Sequence, residues 1–207
     1  MKSLRFFRSS VVARAGGVRA AGWLLLLLAP GAARGGVLPF KLGGGGDTFD
    51  KGARTLQLSG GYYVDVKESD EEAAHASVAG GYYLFNNFSA NLSLDGYALD
   101  TEFQDTFAGG GITLLFRYHF LEIGDRFTLY LDGGAGVIYS DKEIPDFGTH
   151  FNFTPQASVG ATFRIDDNVH LYGGARYFHV SNAAIQGRDE NPGLDAIGGF
   201  LGVMFEF

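Results

Sequence analysis

Cysteine is absent from the 207 residues. Without thiols there is no disulfide framework and no thiolate metal site. Long apolar runs are nearly absent as well. The one near the N-terminus, "AAGWLLLLLAP", is shorter than the ~20 residues a membrane-spanning helix needs, and Leu-rich helical stretches are scarce after it. Basic residues are few: 16 against 23 acidic. Five of the 16, Lys2, Arg5, Arg8, Arg14 and Arg19, precede or lie within residues 1–33, which carry no acid. Without that segment, 11 basic residues face 23 acidic ones, a net of −12. Such acidity argues against a nucleic-acid partner. His75, His119, His150 and His170 show no metal-ligand spacing, so no metal site is expected. "GGGG" at 43–46 lacks the strand–loop–helix context of a phosphate cradle.

What is present is glycine (32), phenylalanine (19) and tyrosine (10), a profile that suits a β protein. A basic start, a short apolar core and the small residues "GAA" read as a secretory signal peptide over 1–33. A glycine-rich lead-in fills 34–54. From residue 55 to 207 the chain falls into eight segments of period-2 alternation: Thr55–Val66, His75–Phe85, Phe88–Leu99, Gly110–Phe120, Phe127–Tyr139, Phe151–Phe163, Val169–Ser181 and Asp195–Phe207. Short turns ("NN", "EIGDR", "RIDDN") alternate with long polar loops such as "KESDEEAA" and "NAAIQGRDENPG". That alternation predicts an eight-stranded antiparallel transmembrane β-barrel of the bacterial outer membrane.

The faces decide which side is apolar. Phe151, Phe153, Ala157, Val159 and Phe163 share one face of the sixth segment; Asn152, Thr154, Gln156 and Ser158 share the other. A small barrel has little interior room, so the apolar set is placed against lipid and the polar set in the lumen. Asp65, Arg117, Asp132 and Arg176 then become a charge-paired filling of the lumen.

Parity also places the residues of "RYFHVSNAAIQGRDENPGLD". His179, Ser181 and Asp195 all fall on the outward face, at the long-loop rim. Two registers are open: either His179 or Ser181 lies directly across from Asp195. A serine hydroxyl needs a base, histidine is a base near neutral pH, and a carboxylate fixes the histidine tautomer. Asn182, Asn191 or the backbone N–H groups of 182–184 are candidate oxyanion donors or substrate-positioning groups. The bland alternative is an ordinary polar rim on a non-enzymatic barrel for adhesion or membrane integrity.

The residues "FHVSNAAI" and "NPGLDAIGGFLGVMFEF" resemble the lipid A 3-O-deacylase (acyloxyacyl hydrolase) family, whose pattern is His-x-Ser-Asn-Ala, a loop, then Asn-x-Gly-x-acid. His179, Ser181, Asn182 and Ala183 match the first half; Asn191, Gly193 and Asp195 match the second. The founding type carries glutamate where this chain has Asp195. The resemblance implies an outer-membrane esterase that removes an acyl chain of lipid A, at the 3-position, with His179, Ser181 and Asp195 as its triad. Lipopolysaccharide is then the substrate and outer-membrane lipid the surroundings. No cofactor is implied, and a homodimer is compatible. A phospholipid esterase is the enzymatic alternative.

Overall fold

Alternation becomes strand after strand in the computed structural model, which describes residues 48–66, 71–101, 103–185, 187 and 191–207, and the backbone of 40–42. The signal peptide expected at 1–33 lies outside the described residues, as does part of the 34–54 lead-in. The strands are β1 (Phe40–Leu42), β2 (Arg54–Asp65), β3 (Glu72–Phe85), β4 (Phe88–Asp100), β5 (Phe107–Ile123), β6 (Phe127–Ile144), β7 (Thr149–Phe153), β8 (Gln156–Asp166), β9 (Val169–Val180) and β10 (Leu194–Glu206).

Each strand from β2 to β10 pairs antiparallel with its neighbours, β10 returns to β2, and β5 pairs β6. β7 and β8 are two halves of one stave along β6, interrupted at Thr154 and Pro155. The result is a closed eight-stranded antiparallel barrel. Closure leaves no unpaired edge, which a bilayer interior requires. The chain end is stitched in: Arg54 and Phe207 exchange both backbone hydrogen bonds, at 3.1 and 3.0 Å.

Several expectations change in detail: β3 and β5 begin at Glu72 and Phe107, three residues before the predicted His75 and Gly110, and the predicted strand Phe151–Phe163 is broken at Thr154 and Pro155. β5 and β6 run past the predicted Phe120 and Tyr139, to Ile123 and Ile144. The segment 140–150, expected as a loop, is mostly the extended β6–β7 hairpin. Above a membrane, a strand needs no apolar face, so its acidic residues gave no signal of pairing. The lead-in also contributes β1, which pairs the end of β5.

The predicted faces hold. Outward residues such as Leu92, Leu94 and Leu201 are 58, 59 and 67 % exposed in the isolated chain, the surface a lipid-embedded wall presents. The lumen is filled rather than open, and it is layered. Tyr63, Tyr97, Leu99, Phe107, Ile138 and Phe178 pack beneath the long loops. Phe49, Tyr83, Tyr130, Tyr172, Phe200 and Met204 pack at the short-turn end. Between them Arg117 meets Asp132 through Nε–Oδ1 (2.8 Å) and Nη2–Oδ2 (2.9 Å), both side chains buried. Two parallel bonds suit the planar guanidinium. The polar interior read from the sequence is therefore a middle layer between two aromatic ones.

Candidate active site

Strand β9 carries Tyr177, His179 and, one residue past its end, Ser181 toward the outside; β10 begins beside them. Register settles the alternative left by the sequence: Asp195 lies across from His179, and Val169 across from Phe205. Ser181 instead bridges to Phe153 on β7, with backbone hydrogen bonds of 2.8 and 3.1 Å.

The hydrogen-bond phase of the ladder explains why His179 and Asp195 meet. His179 N–H donates to Pro155 O at 3.0 Å, so its backbone groups point toward the β8 side. Val66 N–H donates to Asp195 O at 2.8 Å, so the Asp195 backbone points toward β2. The two residues thus face each other as a non-hydrogen-bonded pair, the kind whose Cα atoms approach to about 4.5 Å. Across so short a gap, the one-carbon side chain of aspartate reaches the ring. His179 Nδ1 and Asp195 Oδ1 are 2.6 Å apart. Their side chains keep 30 and 16 % of their surface exposed. Tyr177 Oη also donates to Asp195 Oδ1.

With Nδ1 held by the carboxylate, Nε2 is the ring atom left to face a reactant. Ser181 lies two residues along the same face, about 6.6 Å away along a strand. Gly193, in the left-handed region at φ +70°, lies beside the ring; a Cβ there would sit 3.4 Å from His179 Cε1.

The first residues after Ser181, Asn182 to Ile185, are tightly organised. Asn182 is buried. Its backbone N–H donates to Asn191 Oδ1 at 2.9 Å, and its own Oδ1 accepts from Ala184 N–H at 2.8 Å. Ile185 N–H closes a turn on Asn182 O at 3.1 Å. Ala183 and Ala184 fill that turn with φ of 53° and 58°, a conformation that costs an L-residue roughly 1–2 kcal/mol. Of the three backbone N–H groups considered as oxyanion donors, those of Asn182 and Ala184 are thus engaged inside the loop. For Ala183 N–H the described residues supply no acceptor.

Asp65, Arg117, Asp132 and Arg176 keep to the lumen, as parity predicted; Arg176 lies over the Phe200 ring at 4.5 Å. Alternation along β9 puts Tyr177 on the lipid-facing side with Val169 and Leu171, which by itself suggests no role at the site. A tyrosine two residues before a rim histidine is a signal only once the register is known. Among the described residues no group of three or more His, Asp or Glu side chains is placed to hold a metal.

Comparison with known proteins bears on the family and the fold. The family model of lipid A 3-O-deacylase (PagL) matches residues 58–204. Among solved structures, the outer-membrane enzyme PagL superposes with a TM-score of 0.54 at 18% identity, covering 70% of this chain and 97% of that one. Neisserial surface protein A gives 0.56 at 15%, covering 75 and 96%. The N-terminal β-barrel domain of Pseudomonas aeruginosa OprF gives 0.54 at 18%, covering 76 and 98%. At these identities the structures speak for the fold alone. No curated protein matches the sequence.

Proposed function

The chain belongs to the lipid A 3-O-deacylase family, as an outer-membrane lipid A deacylase, and from that premise we propose that it is a serine esterase which releases the 3-hydroxyacyl chain from the 3-position. Ser181 Oγ attacks the ester carbonyl carbon while His179 Nε2 takes its proton. Asp195 keeps Nδ1 protonated and stabilises the imidazolium. Ala183 N–H meets the developing oxyanion, in a pocket whose shape Asn182 and Asn191 maintain by bracing the loop. The carbon–oxygen bond to the sugar then breaks, and His179 returns the proton to the departing sugar hydroxyl. Water, deprotonated by His179, cleaves the acyl-serine and frees the fatty acid.

One observation carries this reading: a 2.6 Å Nδ1–carboxylate contact on the lipid-facing side of the barrel, with a serine two residues along the same face. The substrate ester lies in the outer leaflet, so machinery for it has to look outward. Residues 1–33 are proposed to direct export.

The test is mass spectrometry of lipid A from cells producing the protein or its His179→Ala variant. The wild type should lower the lipid A mass by one 3-hydroxyacyl group, and the variant should leave it unchanged. Unaltered lipid A in the presence of folded wild-type barrel, or loss of a different acyl chain, would overturn the proposal.

A further inference from the structure

Asp195 Oδ1 receives two donors, His179 Nδ1 and the hydroxyl of Tyr177. Tyr177 is on the outward face of β9, one cross-strand row further into the membrane, where its direct partner is Ile197. Asp195 is therefore its diagonal neighbour, a separation of roughly 7–8 Å that only a long or aromatic side chain spans. Tyr177 is 45 % exposed, so its ring lies against lipid while its hydroxyl turns up to the carboxylate.

We propose that Tyr177 is a positioning residue of the deacylase, locking the Asp195 carboxylate in the orientation that holds His179. This rests on the serine-esterase reading above. A carboxylate at the lipid–water boundary has water as a competing partner, and an aspartate side chain turns freely about two bonds. A second donor on the oxygen that binds the ring removes that freedom. Hydrogen bonds to a charged acceptor are the stronger class, and a dipole already in place needs no reorganisation when the imidazolium forms.

The rival explanation is an interfacial aromatic: tyrosines gather at the headgroup level of outer-membrane barrels whatever the chemistry nearby. That role needs the ring and not the hydroxyl. The molecule supplies its own control, because Tyr62 Oη contacts the Glu72 carboxylate at the same rim with no histidine attached.

The experiment measures kcat and KM on lipid A micelles for wild type, Tyr177→Phe, Tyr62→Phe, Asp195→Asn and the Tyr177→Phe/Asp195→Asn pair, with Ser181→Ala alongside. Tyr177→Phe should lower kcat about tenfold with KM within about twofold, the pattern of a lost transition-state contact. Tyr62→Phe should match wild type. In the Asp195→Asn background, removing the Tyr177 hydroxyl should change kcat less than about twofold, since there is no longer a carboxylate to orient. Where steady-state turnover is too slow to resolve, the same comparison is made on the single-turnover rate of fatty-acid release. Wild-type kcat in Tyr177→Phe, or a full tenfold loss repeated in the Asp195→Asn background, would overturn the proposal. An active Ser181→Ala would instead remove the serine reading beneath it, a separate outcome.

Discussion

The barrel contains the same three residue types twice. Inside, His75 and Ser77 stand two apart on β3, and Asp95 faces them from β4, directly across from Ser77. Outside, His179 and Ser181 stand two apart at the end of β9, and Asp195 faces them from β10. The inner histidine meets its acid through Nε2, at 3.1 Å, with side chains 2 and 4 % exposed. The other carboxylate oxygen of Asp95 accepts Ser93 Oγ at 2.9 Å, and Tyr97 lies 4.9 Å from the imidazole. The outer histidine meets its acid through Nδ1, at 2.6 Å, and is partly open. One arrangement is closed off in the lumen, where His75 Nδ1 is buried without a hydrogen-bond partner among the described residues; the other keeps part of its histidine open at the outer surface. Residue type is shared, so face, ring atom and access are what separate a packing element from a candidate catalyst.

The strongest way to break this contrast is to delete each serine. Ser181→Ala should lose roughly 10⁴- to 10⁶-fold in kcat, as removal of a catalytic serine does elsewhere. Ser77→Ala should retain wild-type turnover. Both barrels should keep the heat-modifiable gel mobility of a folded outer-membrane protein. Rates of fatty-acid release from lipid A check the pair.

Next in size are the acids. Asp195→Asn should lower kcat by about 10³- to 10⁴-fold, because the amide neither stabilises an imidazolium nor enforces the tautomer. Asp95→Asn should leave turnover intact and weaken the fold by roughly 1–3 kcal/mol through a compromised buried network. Turnover measured beside urea-dependent unfolding in micelles separates the two effects. A matching drop in kcat for both acids would erase the distinction.

The lumenal ion pair sets a third scale. Asp132→Ala leaves Arg117 buried beside Tyr130, with its ring centroid 4.0 Å from the guanidinium carbon and no carboxylate partner in that position. Removing one member of a buried pair costs about 3–5 kcal/mol. The unfolding midpoint in urea should fall accordingly, while the barrel that remains folded deacylates normally. The smallest expected effect is at Gly193. An alanine there takes on a left-handed conformation at about 1–2 kcal/mol, yet its Cβ would be only in ordinary contact with His179, at 3.4 Å. Gly193→Ala should therefore reduce kcat by no more than about tenfold, read in the same release assay.

Much of this was legible beforehand because a membrane barrel writes its faces in period two. The outward direction of His179, Ser181 and Asp195 followed from Val169, Leu171 and Phe205 alone. The choice of register did not follow, since both pairings conserve parity; it goes with the turn at Asn182–Ile185, where Ala183 and Ala184 adopt conformations that their side chains do not advertise. Tyr177 was hidden for a related reason. By parity it belongs to the lipid-facing set, and its hydroxyl contact to Asp195 is diagonal. The aromatic layers of the lumen were obscured because Phe178, Phe200 and Met204 interrupt a face otherwise read as polar. The extension of β6 to Ile144 lies beyond the apolar wall, where alternation carries no penalty for charge and so leaves no trace.

On the proposed mechanism the outer serine, and not its inner counterpart, is the reactive one. A fluorophosphonate probe tests it directly, because it forms a stable bond only with an activated serine hydroxyl. Folded wild-type barrel in micelles should take up one phosphonyl group, located on Ser181 by peptide mass spectrometry, and uptake should vanish in His179→Ala. An adduct on Ser77, or labelling of Ser181 that persists undiminished without His179, would rule out Ser181 as a nucleophile activated by His179.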